Sequence, residues 1–189
     1  QVPLFLATLR KREGMGARAL ELVILTACRS GEVRGAAWPE IDLQSRLWRI
    51  PADRMKSGKE HQIPLSTAAI GLLKTIPRLD GSELLFPSTS AGKISDMTLT
   101  AVLRRMDVDA TVHGFRSSFK DWCRNCTKYP DEVSELQLAH VNNDATRAAY
   151  ARDELLPQRT RLMQQWCQLL NSKQQSAKVV PIDGFNTEH

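Results

Sequence analysis

The 189-residue sequence contains no apolar run approaching the roughly 18 consecutive residues that mark a candidate transmembrane helix. It also contains no cluster of carboxylates and histidines at the spacing of metal ligands, which argues against a metal-dependent nuclease. No secretory signal peptide is visible. Because the chain starts at Gln1 rather than Met, we expect it to be a piece of a longer protein.

Cysteine is scarce: the chain has four, at positions 28, 123, 126 and 167. Cys123 and Cys126 form a C-x-x-C pattern, which suggests a zinc or redox site. The second ligand pair of such a site is missing, and the flanking stretch FKDWCRNC is typical of a helix. We therefore expect reduced cysteines in a cytosolic protein, without a metal role.

Acidic residues are outnumbered by basic ones, 21 against 26, so the net charge is +5 and the isoelectric point is about 9.2. A basic domain is suited to a polyanion such as nucleic acid, although this signal is weak by itself. Hydrophobic residues make up 42% and charged residues 25%, as in ordinary globular domains. The length fits one domain with a tail.

Hydrophobic periodicity predicts a mainly helical α+β fold with a small antiparallel sheet near its start. Strands are expected around 47–50 and 62–65, joined by a basic turn at 56–59. The predicted helices cover 3–12, 17–28, 32–34, one segment capped by Ser66, one capped by Ser95, 113–126, 131–139, 144–151 and 157–171. The domain is expected to span 1–172, followed by a polar tail, 173–189, with an apolar island at 179–182.

Five segments together supply the groups that cleave a DNA phosphodiester without metal. The reaction needs a nucleophile, cations on the non-bridging oxygens and an acid for the leaving 5′ oxygen. Each residue alone has an ordinary explanation, such as an Arg29–Glu32 salt bridge, so only the ordered set is specific. The set is Arg29 in TACRSGEV, Lys56 in RMKSGKEHQIPLS, His113 and Arg116 in HGFR, His140 in QLAH, and Tyr150 in ATRAAY. His113 and Arg116, three residues apart, are expected to share a helix face.

From about residue 10 to 171 the chain resembles the catalytic domain of tyrosine recombinases, the phage integrase family, and in particular the integrases of prophages and genomic islands. The most specific stretches are TACRSGEVRGAAWPEID (26–42), PADRMKSGKEHQIPLS (51–66), VHGFRSSF (112–119) and QLAHVNNDATRAAYARDELLPQRTRLMQQW (137–166). The resemblance implies the tyrosine recombinase catalytic-domain fold.

The resemblance also implies a role for each residue of the set. Tyr150 would attack the scissile phosphorus and form a 3′-phosphotyrosine. Lys56 would be the general acid, with Lys59 an open alternative three residues on. The remaining roles are phosphate binding by Arg29 and Arg116, general base or hydrogen-bond partner for His113, phosphate hydrogen bonding for His140, and orientation of Arg29 by Glu32.

On this resemblance the reaction uses no cofactor, metal or ATP. The implied partners are double-stranded DNA at attachment sites, other protomers that form a tetramer on DNA in the full-length protein, and accessory DNA-bending or excision factors, with no membrane involved. The implied location is the bacterial cytoplasm, on the nucleoid. On the same resemblance we expect the core-binding and arm-binding domains of integrases to be absent from this piece. Its tail is expected either to dock on a neighbouring protomer or to be folded on its own domain or disordered. A non-catalytic DNA-binding module of the same fold and a type IB topoisomerase-like enzyme are the alternatives.

Overall fold

In a computed structural model of the protein, residues 1–140 and 155–172 are described. The predicted helix over 144–151 and the predicted tail, 173–189, lie outside these residues. The helices are α1 (Val2–Leu9), α2 (Met15–Thr26), α3 (Ser30–Arg34), α4 (Thr67–Thr75), α5 (Met97–Arg105), α6 (Gly114–Cys126), α7 (Asp131–Gln137) and α8 (Leu156–Asn171). Within the described ranges, no helix is long and apolar enough to cross a bilayer.

The sheet has three antiparallel strands in the order β1 (Ile41–Asp42), β2 (Leu47–Ile50) and β3 (His61–Pro64). Trp48 of β2 pairs with Ile63 of β3, and both side chains are fully buried, whereas Arg49, the next residue of β2, is exposed. This alternation places one face of the sheet on the core. The sequence predicted the β2–β3 hairpin, but β1 is only two residues long and leaves no periodic signal.

Helix α2 lies at the centre of the domain. Leu20, Val23, Ile24 and Ala27 recur at the spacing that predicts one buried helix face, but every residue from Ala19 to Thr26 is buried. It packs against α1, α3, α4, α5, α6 and α8, so no side of its second half faces water. A helix that is apolar all round is expected in this position.

Local signals set several helix boundaries as expected. The Ser66 hydroxyl accepts a hydrogen bond from the backbone N–H of Ala69 at 3.3 Å, which confirms it as the N-cap of α4. The prediction of a Ser95 cap was wrong: α5 begins at Met97, its N-cap residue is Asp96, and the Ser95 hydroxyl lies 3.1 Å from that of Thr98. Apolar residues at helical spacing in α8 predict a core stripe of Leu162, Met163, Trp166, Leu169 and Leu170, and all of these are buried except Leu169, which is 36% exposed.

Two helices end earlier than predicted because the chain turns into the left-handed conformation. Helix α2 ends at Thr26, and Ala27 follows with φ 56°. Helix α7 ends at Gln137, two residues before Ala139 with φ 48°. A left-handed residue stops the α-helical hydrogen-bond pattern and leaves the last carbonyls without helical partners. These carbonyls line the candidate site.

Replacing Trp166 with alanine should lower the free energy of unfolding by about 3–5 kcal/mol. Trp166 is 1% exposed, its ring lies 5.4 Å from that of Phe119 and 5.1 Å from that of Trp122, and its Nε1 donates to the Ile24 carbonyl at 2.8 Å. The truncation removes this packing and leaves a buried carbonyl unsatisfied. Urea denaturation of the variant, with exposed Gln165→Ala on the same helix as control, would measure the effect. A loss below about 1 kcal/mol for Trp166→Ala would contradict the prediction.

Candidate active site

The ends of α2 and α7 meet at the guanidinium group of Arg116, in the first turn of α6. Arg116 is 4% exposed; its Nη1 donates to the Ala27 carbonyl, and its Nη2 donates to the Leu138 carbonyl at 2.9 Å. Both carbonyls lie just past helix C-termini, where partial negative charge favours a cation. The Nε of Arg116 is buried and has no hydrogen-bond partner among the described residues.

Arg29 lies next to this group, at the start of α3. Its Nη1 donates to Glu32 Oε1 at 2.8 Å, and its backbone N–H donates to Glu32 Oε2 at 2.7 Å. Its Nη2 donates to the Ala139 carbonyl at 3.3 Å, one residue beyond the carbonyl that Arg116 contacts. Two arginines that are distant in sequence are therefore brought to adjacent carbonyls of one helix end.

One buried carboxylate, Glu32, acts on both arginines. It is 6% exposed, forms an ion pair with Arg29, and influences Arg116 through its negative charge. Burial lowers the pKa of Arg116 from its ordinary value, and the positive charge of Arg29 lowers it further, while the negative charge of Glu32 acts in the opposite direction. Arginine remains protonated despite such a shift. Two fixed positive charges with one negative partner leave a local excess of positive charge, which suits an anion.

Cys28 lies between the end of α2 and Arg29 but does not add a charge to the site. Burial, assisted by the negative charge of Glu32, raises the pKa of its thiol to about 12. Burial likewise raises the pKa of Cys123 to about 12, whereas Cys126 is exposed. All four cysteines are free thiols, and no cluster of three or more metal-ligating side chains occurs in residues 1–140 and 155–172.

His140 follows α7 and is held by Glu135. Its Nδ1 lies 2.8 Å from Glu135 Oε2, and its backbone N–H donates to the Glu135 carbonyl at 3.0 Å. The other carboxylate oxygen of Glu135 forms an ion pair with the buried Lys120. Lys120 Nζ also donates to Asp131 Oδ1 and to Ser134 Oγ, both at 2.7 Å. Sequence reasoning missed Lys120, which follows Arg116 by four residues on the same face of α6.

A second buried network, also missed, connects the end of α7 to β3 and α8. Gln137 is 1% exposed; its Nε2 donates to the Thr26 carbonyl at 3.0 Å, and its Oε1 accepts from Arg159 Nε at 3.2 Å. Arg159 also donates to the Gln62 carbonyl, and His61 Nε2 lies 3.2 Å from the Gln137 carbonyl. The sequence carries no local signal for this network because its hydrogen-bonded pairs are up to 111 residues apart.

The other predicted site residues are more exposed. Lys56 and Lys59 lie on the turn before β3, and neither forms a hydrogen bond or ion pair with another described residue. His113 is the N-cap of α6, which begins at Gly114; its dihedral angles are helical (φ −68°, ψ −32°), and its side chain is exposed, whereas Arg116 three residues on is buried. The structure brings together Arg29, Glu32 and Arg116, with His140 one residue beyond the carbonyl that Arg29 contacts. Tyr150 lies outside the described residues.

The Lys120–Glu135 pair should stabilise the fold at neutral pH and lose this contribution in acid. Burial alone would raise the pKa of Glu135, but hydrogen bonds from Lys120 and His140 outweigh it and hold this pKa below its ordinary value; a hydrogen bond from Lys120 likewise lowers the pKa of Asp131. A lowered carboxyl pKa gives stability that is complete above the unfolded value, about 4, and is lost as the pH falls through the folded value.

A Lys120→Met variant tests this pH dependence. At pH 7 its free energy of unfolding should be about 1–3 kcal/mol below that of the wild type, and the gap should shrink as the pH falls from about 5 to below 4. Urea denaturation across this range would measure it, with exposed Lys128→Met as the control. A gap that stays constant with pH would show that Lys120 contributes through packing rather than through its charge.

Comparison with known proteins gives the family. Residues 1–155 match the model of the phage integrase family. Prophage integrase IntA of Escherichia coli (strain K12) is 35% identical over 179 residues, covering 91% of this chain and 43% of the relative. The integrase of Enterobacteria phage P4 is 37% identical over 191 residues, covering 89% of this chain and 44% of the relative. The chain thus spans less than half the length of these relatives.

The fold is also found among solved structures. A lambda integrase dimer bound to a COC′ core site aligns with a TM-score of 0.56 and 18% identity, covering 75% of this chain and 56% of that chain. The expected fold, a mainly helical tyrosine recombinase catalytic domain with a small antiparallel sheet, is confirmed. The matched family model covers most of the chain, and the two integrases share more than a third of the aligned residues with it. The chain belongs to the phage integrase family.

Proposed function

We propose that this chain is the catalytic domain of a site-specific DNA recombinase that cleaves and rejoins DNA strands through a covalent 3′-phosphotyrosine, and so integrates or excises a mobile element. The observation that carries the proposal is the pair of guanidinium groups, Arg29 and Arg116, gathered at the ends of α2 and α7. The buried Nε of Arg116 has no hydrogen-bond partner within residues 1–140 and 155–172. Membership of the phage integrase family supports it.

The guanidinium pair is suited to a backbone phosphate. Each planar fork binds two oxygens, and its charge is independent of pH in the working range. Preorganised cations stabilise the negative charge that grows on the non-bridging oxygens when the phosphorus becomes five-coordinate. Glu32 fixes the Arg29 fork from two sides, so this cation needs little rearrangement when the phosphate arrives. His140, held by Glu135, would donate a further hydrogen bond to the phosphate.

The proposed chemistry divides the proton transfers between two groups. A free tyrosine has a pKa of about 10, so its proton must be removed as the oxygen attacks. His113 would accept the phenol proton while the Tyr150 oxygen bonds to phosphorus, and the bond from phosphorus to the 5′ oxygen breaks. Lys56 would give that leaving oxygen its proton.

The second half of the reaction reverses the first. The 5′ hydroxyl of a partner strand attacks the phosphotyrosine, which restores a phosphodiester and frees Tyr150. Because the covalent intermediate conserves the energy of the broken bond, the exchange needs no external energy source. The partners we propose are double-stranded DNA at attachment sites, other protomers in a tetramer of the longer protein, and accessory DNA-bending or excision factors. The lambda integrase dimer on a core site supports DNA and a second protomer as partners.

Trapping the covalent intermediate tests the proposal. The protein would be incubated in EDTA with a pool of nicked duplexes whose central bases are randomised, so that an unknown target is represented. A recombinase is expected to give a protein–DNA band that survives denaturing electrophoresis, and the trapped DNA should be enriched in one sequence. A type IB topoisomerase would trap without such enrichment. A non-catalytic binding module or a metal-dependent nuclease would give no band, and that result would refute the proposal.

A further inference from the structure

We propose that Arg54 is a positioning residue that fixes the Lys56 turn against the phosphate-binding arginines. This inference rests on the proposed function. Arg54 ends a short 3₁₀ segment, Ala52–Arg54, two residues before Lys56. Nothing in the sequence analysis gave it a role.

The Arg54 side chain joins the turn to the segment that carries Arg29. Its Nη1 forms an ion pair with Glu40 Oε1, and its Nη2 donates to the backbone carbonyl of Glu32. Glu40 is itself held, because its Oε2 accepts from Trp48 Nε1 at 2.9 Å on the central strand. The Arg54 fork therefore binds two separate, anchored acceptors.

Glu32 accepts hydrogen bonds through both its side chain and its backbone carbonyl. Its carboxylate holds Arg29, and its carbonyl accepts from Arg54. Glu32 is 6% exposed and belongs to the rigid turn of α3. The same buried residue, Glu32, therefore holds both the phosphate-binding Arg29 and the turn that follows Arg54.

Gly35 leaves room for this contact. A Cβ placed on Gly35 would lie 3.1 Å from Arg54 Nη2 and 3.4 Å from its Cζ, closer than side chains usually pack. The φ of Gly35 is −101°, which any residue can adopt, so conformational freedom does not explain a glycine here. The close approach of the Arg54 guanidinium does.

The turn itself transmits the position of Arg54 to Lys56. Backbone hydrogen bonds close it on both sides, from Met55 N–H to the Ala52 carbonyl at 3.1 Å and from Gly58 N–H to the Met55 carbonyl at 2.9 Å. Met55 is 5% exposed and packs into the core. Lys56 is exposed and makes no polar contact with another described residue, so its reach is set by its backbone. Loss of the Arg54 fork would displace the turn and impair proton transfer more than phosphate binding.

A DNA substrate whose scissile 5′ oxygen is replaced by sulfur separates these effects. A thiol has a pKa of about 8.5, so the sulfur leaves as a thiolate without help from a general acid. Arg54→Ala should slow covalent-complex formation on ordinary DNA by about 10²-fold and on the sulfur substrate by only a few fold, as Lys56→Ala should. Gly35→Ala, which crowds the guanidinium but keeps it, should show the same pattern with a smaller loss. Single-turnover rates on a sequence recovered from the trapping experiment would be measured.

Controls make the outcomes distinguishable. Arg49→Ala removes an exposed arginine of β2 in the same hairpin and should leave both rates unchanged. Equal losses on both substrates for Arg54→Ala and Gly35→Ala would show a general structural defect and overturn the inference. Sulfur rescue of Lys59→Ala but not of Lys56→Ala would overturn Lys56 as the positioned group. If the wild type itself forms no covalent complex with either substrate, the proposed function fails instead.

Discussion

A Tyr150→Phe variant is expected to bind DNA as the wild type does and to form no covalent protein–DNA complex. The substitution removes one oxygen, the proposed nucleophile, and leaves the aromatic ring. The arginines that we propose bind phosphate are untouched, so affinity, which depends mainly on phosphate contacts, should be preserved. Loss of the nucleophile should lower the rate of covalent attachment by at least about 10³-fold.

The matched control for this prediction is the only other tyrosine of the chain, Tyr129. Its hydroxyl accepts a long hydrogen bond of 3.4 Å from Gln165, so Tyr129→Phe should be nearly neutral. Covalent trapping would measure activity, and electrophoretic mobility shift at fixed salt would measure binding. Covalent complex formed by Tyr150→Phe, or its loss in Tyr129→Phe alone, would place the nucleophile elsewhere.

An Arg116→Ala variant is expected to lose both stability and activity. The carbonyls of Ala27 and Leu138 would lose their shared donor in a buried site, which should lower the free energy of unfolding by about 2–4 kcal/mol. Without this cation, less of the negative charge that develops on the non-bridging phosphate oxygens is stabilised, so cleavage should slow by about 10²–10³-fold. Arg116→Lys keeps a charge but not the fork, so it should regain part of the stability and little of the activity.

Two measurements separate these effects for Arg116. Urea denaturation gives the folded fraction under the conditions of the cleavage assay, so that rates can be expressed per folded molecule. Arg10→Ala is the matched control, because it removes an ion pair with the buried Glu21 on α2 and a contact to Asn171 on α8, and should cost stability without slowing cleavage. Full activity per folded molecule in Arg116→Ala would exclude this arginine from the phosphate site.

Tyr150→Phe and Arg116→Ala separate the residue that reacts from a residue that also holds the fold together. Tyr150→Phe removes one reacting atom, so only the covalent step should respond. Arg116 has one observed role and one proposed role: its fork joins the ends of α2 and α7, and we propose that it also binds phosphate. The position of Arg116 at two helix ends relates these roles, because the fork that contacts the Ala27 and Leu138 carbonyls also brings its charge next to Arg29.

Much of the fold could be predicted from local patterns. The Ser66 cap, the β2–β3 hairpin and the apolar stripe of α8 follow from side-chain chemistry and from periods of 2 and 3.6 residues. The ends of α2 and α7 were predicted too late, because the left-handed residues after these helices are alanines, Ala27 and Ala139, rather than the glycine that usually marks a helix end. Burial of α2 on every side depended on neighbours that no local window contains.

The sequence by itself determined the family and the list of candidate residues, because the order and local context of Arg29, Arg116, His140 and Tyr150 are properties of the chain. Only the tertiary structure showed that Arg29 and Arg116 reach adjacent carbonyls, that Glu135, itself paired with Lys120, holds His140, and that Arg54 joins the Lys56 turn to Glu32. The reason is physical. Buried polar groups must find partners wherever the packed chain supplies them, and those partners lie far apart in sequence.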